Sequence, residues 1–309
     1  QMPASAAPTI GGDYHLKKCS PLSPAIDAGD NNQIPVGVTT DLDEQARIVN
    51  GTVDMGAYET HYAFHEGGRV YIDRTKNGKG TSWADAAPEL ADAVREAKYN
   101  TAIKEIWVAK GTYTPLYNAA DGTETFCKTP GRDNAFVLPP DIKLYGGFAG
   151  GETDTSGRDF VANETILSGD IGIANDTIDN CYHVLIGAGI STASSIDGFT
   201  IKNGNATYLP VGDITVNGFT IWKYFGGGLY ADTSVIDMAN CKFSFNYAGW
   251  GGAGLFQDSG SLSIKNSSFV NNVLRNLGGG GIFNRRGILK IDKCSFKANE
   301  TTGVGSFGA

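Results

Sequence analysis

The amino-acid sequence predicts an all-β solenoid, a parallel β-helix, and three observations support this fold class. First, three segments within residues 226–299 align without a gap, and their phenylalanines lie 26 and 27 residues apart. Second, apolar residues within each segment lie two positions apart, which is the period of a half-buried strand. Third, glycine and asparagine recur near the same corners. A unit of this length can bury its apolar faces only against copies of itself.

Each repeat begins with a glycine-rich corner followed by a strand. The apolar residue after the glycines leads after fourteen positions to a phenylalanine, and an asparagine lies three positions further on. Because parallel strands of adjacent coils lie about 4.8 Å apart, constant spacing stacks residues of the same type. We expect the corner asparagines to hydrogen bond from coil to coil. The three sets are Leu229, Phe243 and Asn246; Leu255, Phe269 and Asn272; and Ile282, Phe296 and Asn299.

The remaining positions of a repeat predict two further strands. Ile236 and Met238 flank a polar residue, and Cys241 and Phe243 form a second alternating pair beyond a polar corner at Asn240. With the strand after the glycines, each coil therefore has three short strands and three corners. The equivalent pairs are Leu262 and Ile264, Ser267 and Phe269, Leu289 and Ile291, and Cys294 and Phe296, with corners at Asn266 and Lys293.

Residues 69–114 predict an N-terminal cap and a first coil. An amphipathic helix is expected to begin after Asp85 as the N-cap and to run to Lys98. Residues 105–109 predict the first buried strand. A helix at the open end of a β-helix covers the first apolar layer and its unpaired ladder. The apolar face of the helix consists of Leu90, Ala91, Val94 and Ala97.

The repeat motifs resemble those of a known family. Phe-x-x-Asn together with Gly-Gly-[Ala/Gly]-[Leu/Ile], within residues 226–299, is similar to the repeat of the chlamydial polymorphic outer-membrane proteins. This resemblance covers the regular coils alone. It implies a parallel β-helix for that part of the chain.

Other parts of the chain resemble bacterial β-helix proteins of the choice-of-anchor Q type. Residues 23–30 (Ser-Pro-Ala-Ile-Asp-Ala-Gly-Asp) and 53–59 (Val-Asp-Met-Gly-Ala-Tyr-Glu) look like a closing segment, and residues 144–150 (Leu-Tyr-Gly-Gly-Phe-Ala-Gly) look like part of an opening. The resemblance implies a right-handed, pectin-lyase-like β-helix, but it implies no activity. It also implies that residues 1–62 close one unit and that residues 63–309 form the cap and coils of another. We expect that second unit to continue in the parent protein.

Composition limits the partners of the chain. It has 25 basic and 33 acidic residues, a net charge of −8, and no basic cluster. Nucleic acid and anionic membranes are therefore not expected as partners. No apolar run approaches the roughly 18 residues that a membrane-spanning helix needs. We expect a secreted protein or a bacterial cell-surface protein.

The cysteines predict free thiols in the repeats. Cys241 and Cys294 occupy one column two coils apart, so their Cα atoms are expected about 9.6 Å apart. A disulfide requires a distance below about 7 Å. Both residues are therefore expected to act as small apolar side chains.

The sequence does not reveal a catalytic site. A glycoside hydrolase needs two facing carboxylates, and a polysaccharide lyase needs a metal cluster beside a base. We expect His183 to be a strand residue, and we expect no cofactor. Asp41 and Asp43 either bind calcium or hold a turn, and the spacing favours the turn. The acidic residues of the repeats, which we expect to share no column, are Asp232, Asp237, Asp258 and Asp292.

One column of aromatic side chains is a candidate binding site. Tyr230, Phe256 and Phe283 each follow an inward-facing residue, so their rings are expected to point outward and to stack. Such rings can form a platform for sugars. The alternative is that they contact only one another or are covered by the insertion at residues 205–225. Nearby aromatic residues in the sequence are Trp222, Tyr224 and Trp250.

These observations favour a non-catalytic structural and binding module, adhesin-like, within a large secreted or cell-surface bacterial protein. Its expected partners are a polysaccharide or surface glycan, other surface proteins, and further domains of the same chain. The alternative is a polysaccharide lyase or glycoside hydrolase that acts on a complex glycan. A third interpretation is a spacer that binds nothing.

Overall fold

The chain divides into two compact units, Gln1–His61 and Tyr62–Ala309. The role of the first unit as the close of a preceding β-helix stays a prediction. Among the described residues, no helix is long and apolar enough to cross a membrane. The computed structural model describes residues 15–16, 23–26, 28–48, 52–59, 68–121, 131–207, 212–276 and 278–303.

The described part of the second unit contains one α-helix, α1 (Leu90–Tyr99), and 24 strands. The strands are β1 Arg69–Ile72, β2 Glu105–Ala109, β3 Gly111–Tyr113, β4 Phe136–Val137, β5 Lys143–Phe148, β6 Thr165–Ser168, β7 Leu185–Ala188, β8 Ser194–Asp197, β9 Phe199–Lys202, β10 Asn205–Ala206, β11 Ile214–Val216, β12 Phe219–Ile221, β13 Leu229–Asp232, β14 Ser234–Ala239, β15 Lys242–Ser244, β16 Tyr247–Ala248, β17 Leu255–Gln257, β18 Gly260–Lys265, β19 Ser268–Val270, β20 Val273–Leu274, β21 Ile282–Asn284, β22 Ile288–Asp292, β23 Ser295–Lys297 and β24 Glu300–Thr301.

The strands form four parallel sheets and one antiparallel hairpin, β11–β12. The sheet orders are β1-β2-β5-β8-β14-β18-β22, β3-β6-β9-β15-β19-β23, β4-β7-β13-β17-β21 and β10-β16-β20-β24. Successive coils add one strand to each sheet, which confirms a parallel β-helix. The regular coils contain four strands instead of the expected three. The fourth strand has only two residues, too few for an alternating pattern to be recognised in the sequence.

Equivalent residues pair as the repeat spacing predicts. Phe243 pairs with Phe269, and Phe269 pairs with Phe296. The centroids of these rings lie 4.8 and 5.1 Å apart, with interplanar angles of 3° and 8°. The strands after the glycines have the same register, because Leu229 pairs with Leu255 and Leu255 with Ile282. The core is thus a set of apolar columns that run from coil to coil.

A ladder of buried asparagines joins the coils, as expected. The side-chain amide of Asn246 donates to Oδ1 of Asn272 at 3.0 Å, and that of Asn272 donates to Oδ1 of Asn299 at 2.8 Å. The Oδ1 atoms of Asn272 and Asn299 each also accept the backbone N–H of the ladder asparagine one coil earlier. Nδ2 of Asn272 further donates to the carbonyl oxygen of Phe243. The amide therefore satisfies polar groups that no water reaches.

The corners between the second and third strands of each regular coil adopt the left-handed conformation. The φ angles of Asn240, Asn266 and Lys293 are 53°, 48° and 51°. Asparagine tolerates this region because its short side chain can hydrogen bond locally, whereas lysine has no such compensation. The predicted polar corners are confirmed, and Lys293 is the member of the column that fits its backbone least well.

The N-terminal cap is shorter than the sequence suggested. Helix α1 begins at Leu90 with Glu89 as the N-cap, so the expectation that Asp85 caps it is wrong. The preceding residues extend instead along the free edge of β1, where the N–H of Ala87 donates to Tyr71 and the N–H of Asp73 donates to Ala87. This pairing satisfies backbone groups at the free edge of β1, and the helix therefore begins only at Leu90. The residues of the predicted apolar face, Leu90, Ala91, Val94 and Ala97, are all buried.

The thiols of the repeat coils are free, as predicted. Cys241 is buried, Cys294 is partly buried, and neither forms a disulfide. Sγ of Cys241 lies 3.2 Å from the carbonyl oxygen of Ala239. Burial raises the pKa of the Cys241 thiol to about 12, so the thiol stays protonated at neutral pH.

Replacing Asn272 with Ala is expected to lower the free energy of unfolding by about 3 kcal/mol, because the substitution leaves buried donors and acceptors in two coils unsatisfied. Urea denaturation followed by circular dichroism measures the change. The control is Asn77→Ala at an exposed position, for which we expect a change below about 0.5 kcal/mol. Equal free energies of unfolding for the two variants would contradict a stabilising role of the asparagine ladder.

Replacing Lys293 with Asn is expected to stabilise the last described coil by about 1 kcal/mol, because asparagine relieves the left-handed strain. Amide hydrogen exchange of β22 and β23 reports this local gain. Lys290→Asn, within β22 of the same coil, is the matched control and should give no gain. Faster exchange in the Lys293 variant than in the wild type argues against strain at this corner.

Candidate ligand-binding surface

The predicted aromatic column exists in the structure. Tyr230, Phe256 and Phe283 occupy equivalent positions on β13, β17 and β21. The ring centroids of Tyr230 and Phe256 lie 5.0 Å apart, and those of Phe256 and Phe283 lie 5.9 Å apart. The side chains therefore form a continuous column on the outer side of this sheet.

The alternative that the insertion covers the column holds for two of its three members, so their expected exposure is wrong. Tyr230 and Phe256 are fully buried, and Phe283 is partly buried. They belong to a second apolar cluster, on the other side of the sheet from the main core. The β11–β12 hairpin lies within the insertion at residues 205–225 and contributes Ile214, Val216 and Ile221 to this cluster. A sugar cannot contact the rings of Tyr230 and Phe256 while the hairpin covers them.

Three features hold the hairpin in place. Its turn is Asn217-Gly218, with φ angles of 50° and 81°, as a type I′ turn requires. The carboxylate of Asp121 accepts the N–H groups of both turn residues, at 2.7 and 2.8 Å. The ring of Phe219 packs so closely on Gly189 that a Cβ atom there would lie 2.5 Å from it. Residues 208–211 of the insertion lie outside the described residues.

The residues that follow the hairpin form, together with Phe283, a second and more accessible group of aromatic side chains. We define the aromatic surface as Trp222, Tyr224, Phe225 and Phe283, all of which are partly exposed. Phe225 stacks on Phe256 at 4.5 Å and lies nearly parallel to Phe283 at 6.3 Å. Trp222 and Tyr224 lie 6.4 Å apart with an interplanar angle of 12°. The buried column thus supports a second, accessible layer of rings.

Trp250 lies beside the aromatic surface. Its backbone N–H donates to the carbonyl oxygen of Tyr224 at 2.9 Å, and 44% of the residue is exposed. Of the three aromatic residues that the sequence places near the column, Trp222 and Tyr224 belong to the aromatic surface and Trp250 adjoins it. Phe225, which directly follows Tyr224, was not among the aromatic residues expected near the column.

An arginine lies against the aromatic surface. The guanidinium carbon of Arg285 lies 4.5 Å from the ring centroid of Trp222, within the range of a cation–π contact. Asp258 holds this guanidinium, with Nη2 of Arg285 donating to Oδ2 at 2.7 Å. Burial alone would raise the pKa of Asp258, but hydrogen bonds from Arg285 and Arg286 outweigh burial and lower it. The carboxylate is therefore charged at neutral pH.

Two of the four acidic residues of the repeats, Asp232 and Asp258, share a column. Asp232 and Asp258 directly follow the paired residues Ala231 and Gln257, so they occupy equivalent positions in adjacent coils. Arg285 follows Asn284 at the same position of the next coil. The expectation of no common column is wrong for this pair. Because both oxygens of Asp258 bind arginine, the pair is not an open pair of carboxylates.

His183 is a buried structural residue that lies just before β7, so its expected place within a strand is wrong. Nδ1 lies 3.0 Å from the carbonyl oxygen of Gly226, and the ring meets Tyr230 edge-on at 5.4 Å. Nε2 is buried without a hydrogen-bond partner among the described residues. Burial lowers the pKa of His183 to about 4, although the bond to Gly226 favours the charged form.

The aspartates that were considered for calcium hold a loop of the first unit. Asp41 is buried, and its carboxylate accepts the N–H groups of Asp43, Gln45 and Glu59, each at 2.9 Å. Oδ2 of Asp43 instead contacts His15. Within the part of the chain that the structure describes, no group of three or more potential ligands is placed to hold a metal ion.

Comparison of the chain with protein-family models, with curated proteins and with solved structures finds no match in any of the three. The assignment of the second unit to the parallel β-helices therefore rests on its sheet order and strand register.

His183 predicts a pH dependence of stability. The neutral form is favoured in the folded state, so stability is fully present above pH 6.5 and is lost as the pH falls towards 4. The difference between the ordinary pKa of 6.5 and the pKa of about 4 in the folded state corresponds to about 3 kcal/mol of folding stability. Urea denaturation of the wild type and of His183→Asn, at several pH values between 7.5 and 4.5, isolates this contribution. An equal loss of stability in both proteins would contradict the assignment.

Proposed function

We propose that the chain is a non-catalytic structural and binding module, and that it binds a glycan at the aromatic surface. The observation that carries the proposal is the pair of partly exposed, nearly parallel rings of Trp222 and Tyr224. An aromatic ring can bury the apolar face of a pyranose while the hydroxyl groups of the sugar keep their water. Two neighbouring rings offer this contact to two parts of one sugar chain.

The side chains packed against the exposed rings hold them in place, which favours binding. Phe225 packs on the fully buried Phe256, and Arg285 lies against Trp222. Side chains that are fixed before the ligand arrives lose little conformational entropy when it binds. The proposed site therefore differs from the one expected from the sequence, because the accessible rings are contributed by the insertion and by Phe283.

We further propose that the module belongs to a large secreted or cell-surface bacterial protein, adhesin-like, related to the choice-of-anchor Q type. The motifs at residues 23–30, 53–59 and 144–150 support this relationship. The repeat of the solenoid supports a stalk that presents its side faces. Other surface proteins and further domains of the same chain are the remaining proposed partners.

Replacing Trp222 with Ala is expected to weaken glycan binding about tenfold, because the substitution removes one stacking ring. Tyr224→Ala should have a smaller effect, and the double variant should lose binding. A glycan array identifies ligands, and isothermal titration calorimetry measures their affinities. The control is Phe245→Ala, which removes an aromatic side chain that is 47% exposed and lies outside the aromatic surface.

Each other outcome of this experiment contradicts the proposal in a different way. Binding that survives the double variant would place the site elsewhere. Complete absence of glycan binding would favour a spacer or a protein partner. New reducing ends, or products that absorb in the ultraviolet, would identify a hydrolase or a lyase.

A further inference from the structure

Two adjacent arginines share one buried carboxylate beside the aromatic surface. Nε and Nη2 of Arg285 donate to the two oxygens of Asp258, and Nε and Nη2 of Arg286 donate to the same oxygens at 3.2 and 2.9 Å. The carboxylate of Asp258 is only 4% exposed. Four charge-assisted hydrogen bonds therefore fix both guanidinium groups.

The two arginines differ in what remains accessible. A guanidinium has five N–H donors and no acceptor, so each arginine keeps donors beyond those that bind Asp258. The side chain of Arg285 is 36% exposed and lies against Trp222. The side chain of Arg286 is 64% exposed, and Asp258 is its only hydrogen-bond partner among the described residues. Arg286 therefore presents to solvent N–H donors that no described residue accepts, and it directly follows the arginine that contacts Trp222.

The turn that carries both arginines is held by its own hydrogen bonds. Nδ2 of Asn284 donates to the carbonyl oxygen of Gly287 at 2.8 Å, and the N–H of Gly287 donates to Oδ1 of Asn284 at 3.0 Å. This closure limits the positions that Arg286 can occupy before a ligand binds. Preorganised donors bind an acceptor with a smaller entropic cost.

Directional donors, and not net charge, would select the ligand. Asp232 and Asp258 balance the two guanidinium charges, so the local field is nearly neutral. Oδ1 of Asp232 already accepts the hydroxyl groups of Thr233 and Ser259. An additional acceptor must therefore come from the ligand, and the planar guanidinium edge matches a carboxylate or a sulfate.

We propose that the glycan bound at the aromatic surface carries an anionic substituent, a carboxylate or a sulfate, and that Arg286 hydrogen bonds this group. The inference rests on the proposed glycan binding and names the class of glycan. Arg285 is a positioning residue that fixes Trp222, whereas Arg286 contacts the ligand. Because Arg286 and the anionic group of the ligand would meet at an exposed position, we expect a preference for anionic over neutral chains of only about threefold to tenfold. Added salt should weaken this preference.

The test compares chains that share a backbone and differ in charge. The probes are dextran, carboxymethyl dextran and dextran sulfate, and hydroxyethyl cellulose, carboxymethyl cellulose and cellulose sulfate, each titrated into the whole chain by calorimetry. Arg286→Gln should abolish the preference for anionic chains and leave the affinity for neutral chains unchanged. Arg286→Lys keeps the charge but loses the planar fork, so it should retain only part of the preference. The matched control, Lys290→Gln, should retain all of it.

The outcomes separate this inference from the proposed function. If neutral and anionic chains bind the wild type equally, and Trp222→Ala weakens both, the proposed function stands and the inference fails. If the preference persists in Arg286→Gln, Arg286 is not the anion contact and the inference also fails. If no chain binds the wild type, or if Trp222→Ala leaves the affinity for every chain unchanged, the proposed function fails and the inference fails with it. Carboxymethyl and sulfated chains distinguish the two possible anions.

Discussion

Each coil of the solenoid satisfies its backbone through the coils before and after it, and this mutual pairing requires equivalent residues to stay in register. The ladder through Asn246, Asn272 and Asn299 makes the requirement strict, because a shift of one residue would leave buried amides without their hydrogen-bond partners. The phenylalanine stack follows from the same alignment. Fixed register also determines which outward side chains become neighbours. Core and surface are thus consequences of one constraint.

Features that depend on the repeat were predictable from the sequence. The pairing of Phe243 with Phe269 and the polar corner at Asn266 follow from spacing and residue type alone. The two-residue strands of the fourth sheet, such as β16, were missed because their register depends on neighbouring coils. The start of α1 was misplaced because residues before Leu90 pair with β1, a tertiary interaction that outweighs the local capping signal at Asp85.

The candidate site was only half predictable, for a physical reason. Alternation within a strand places Tyr230 and Phe256 on the outer side, but their exposure depends on whether another segment covers them. The Asn217-Gly218 turn is a recognisable hairpin signal, yet nothing in it specifies where the hairpin docks. The column formed by Asp258 and Arg285, by contrast, was present in the spacing and was overlooked.

The inserted hairpin lies between β10 and β13, and the coils on either side of it still pair in the regular register, Leu185 with Leu229. The register of the coils is therefore the same on both sides of the inserted segment. Most rings of the aromatic surface belong to that segment, whereas the residues that hold the coils together do not. The proposed binding surface and the register of the coils are therefore carried by different segments of the chain. A segment exchanged at this junction would change what the solenoid displays, and it would also have to cover Tyr230 and Phe256 as the present hairpin does.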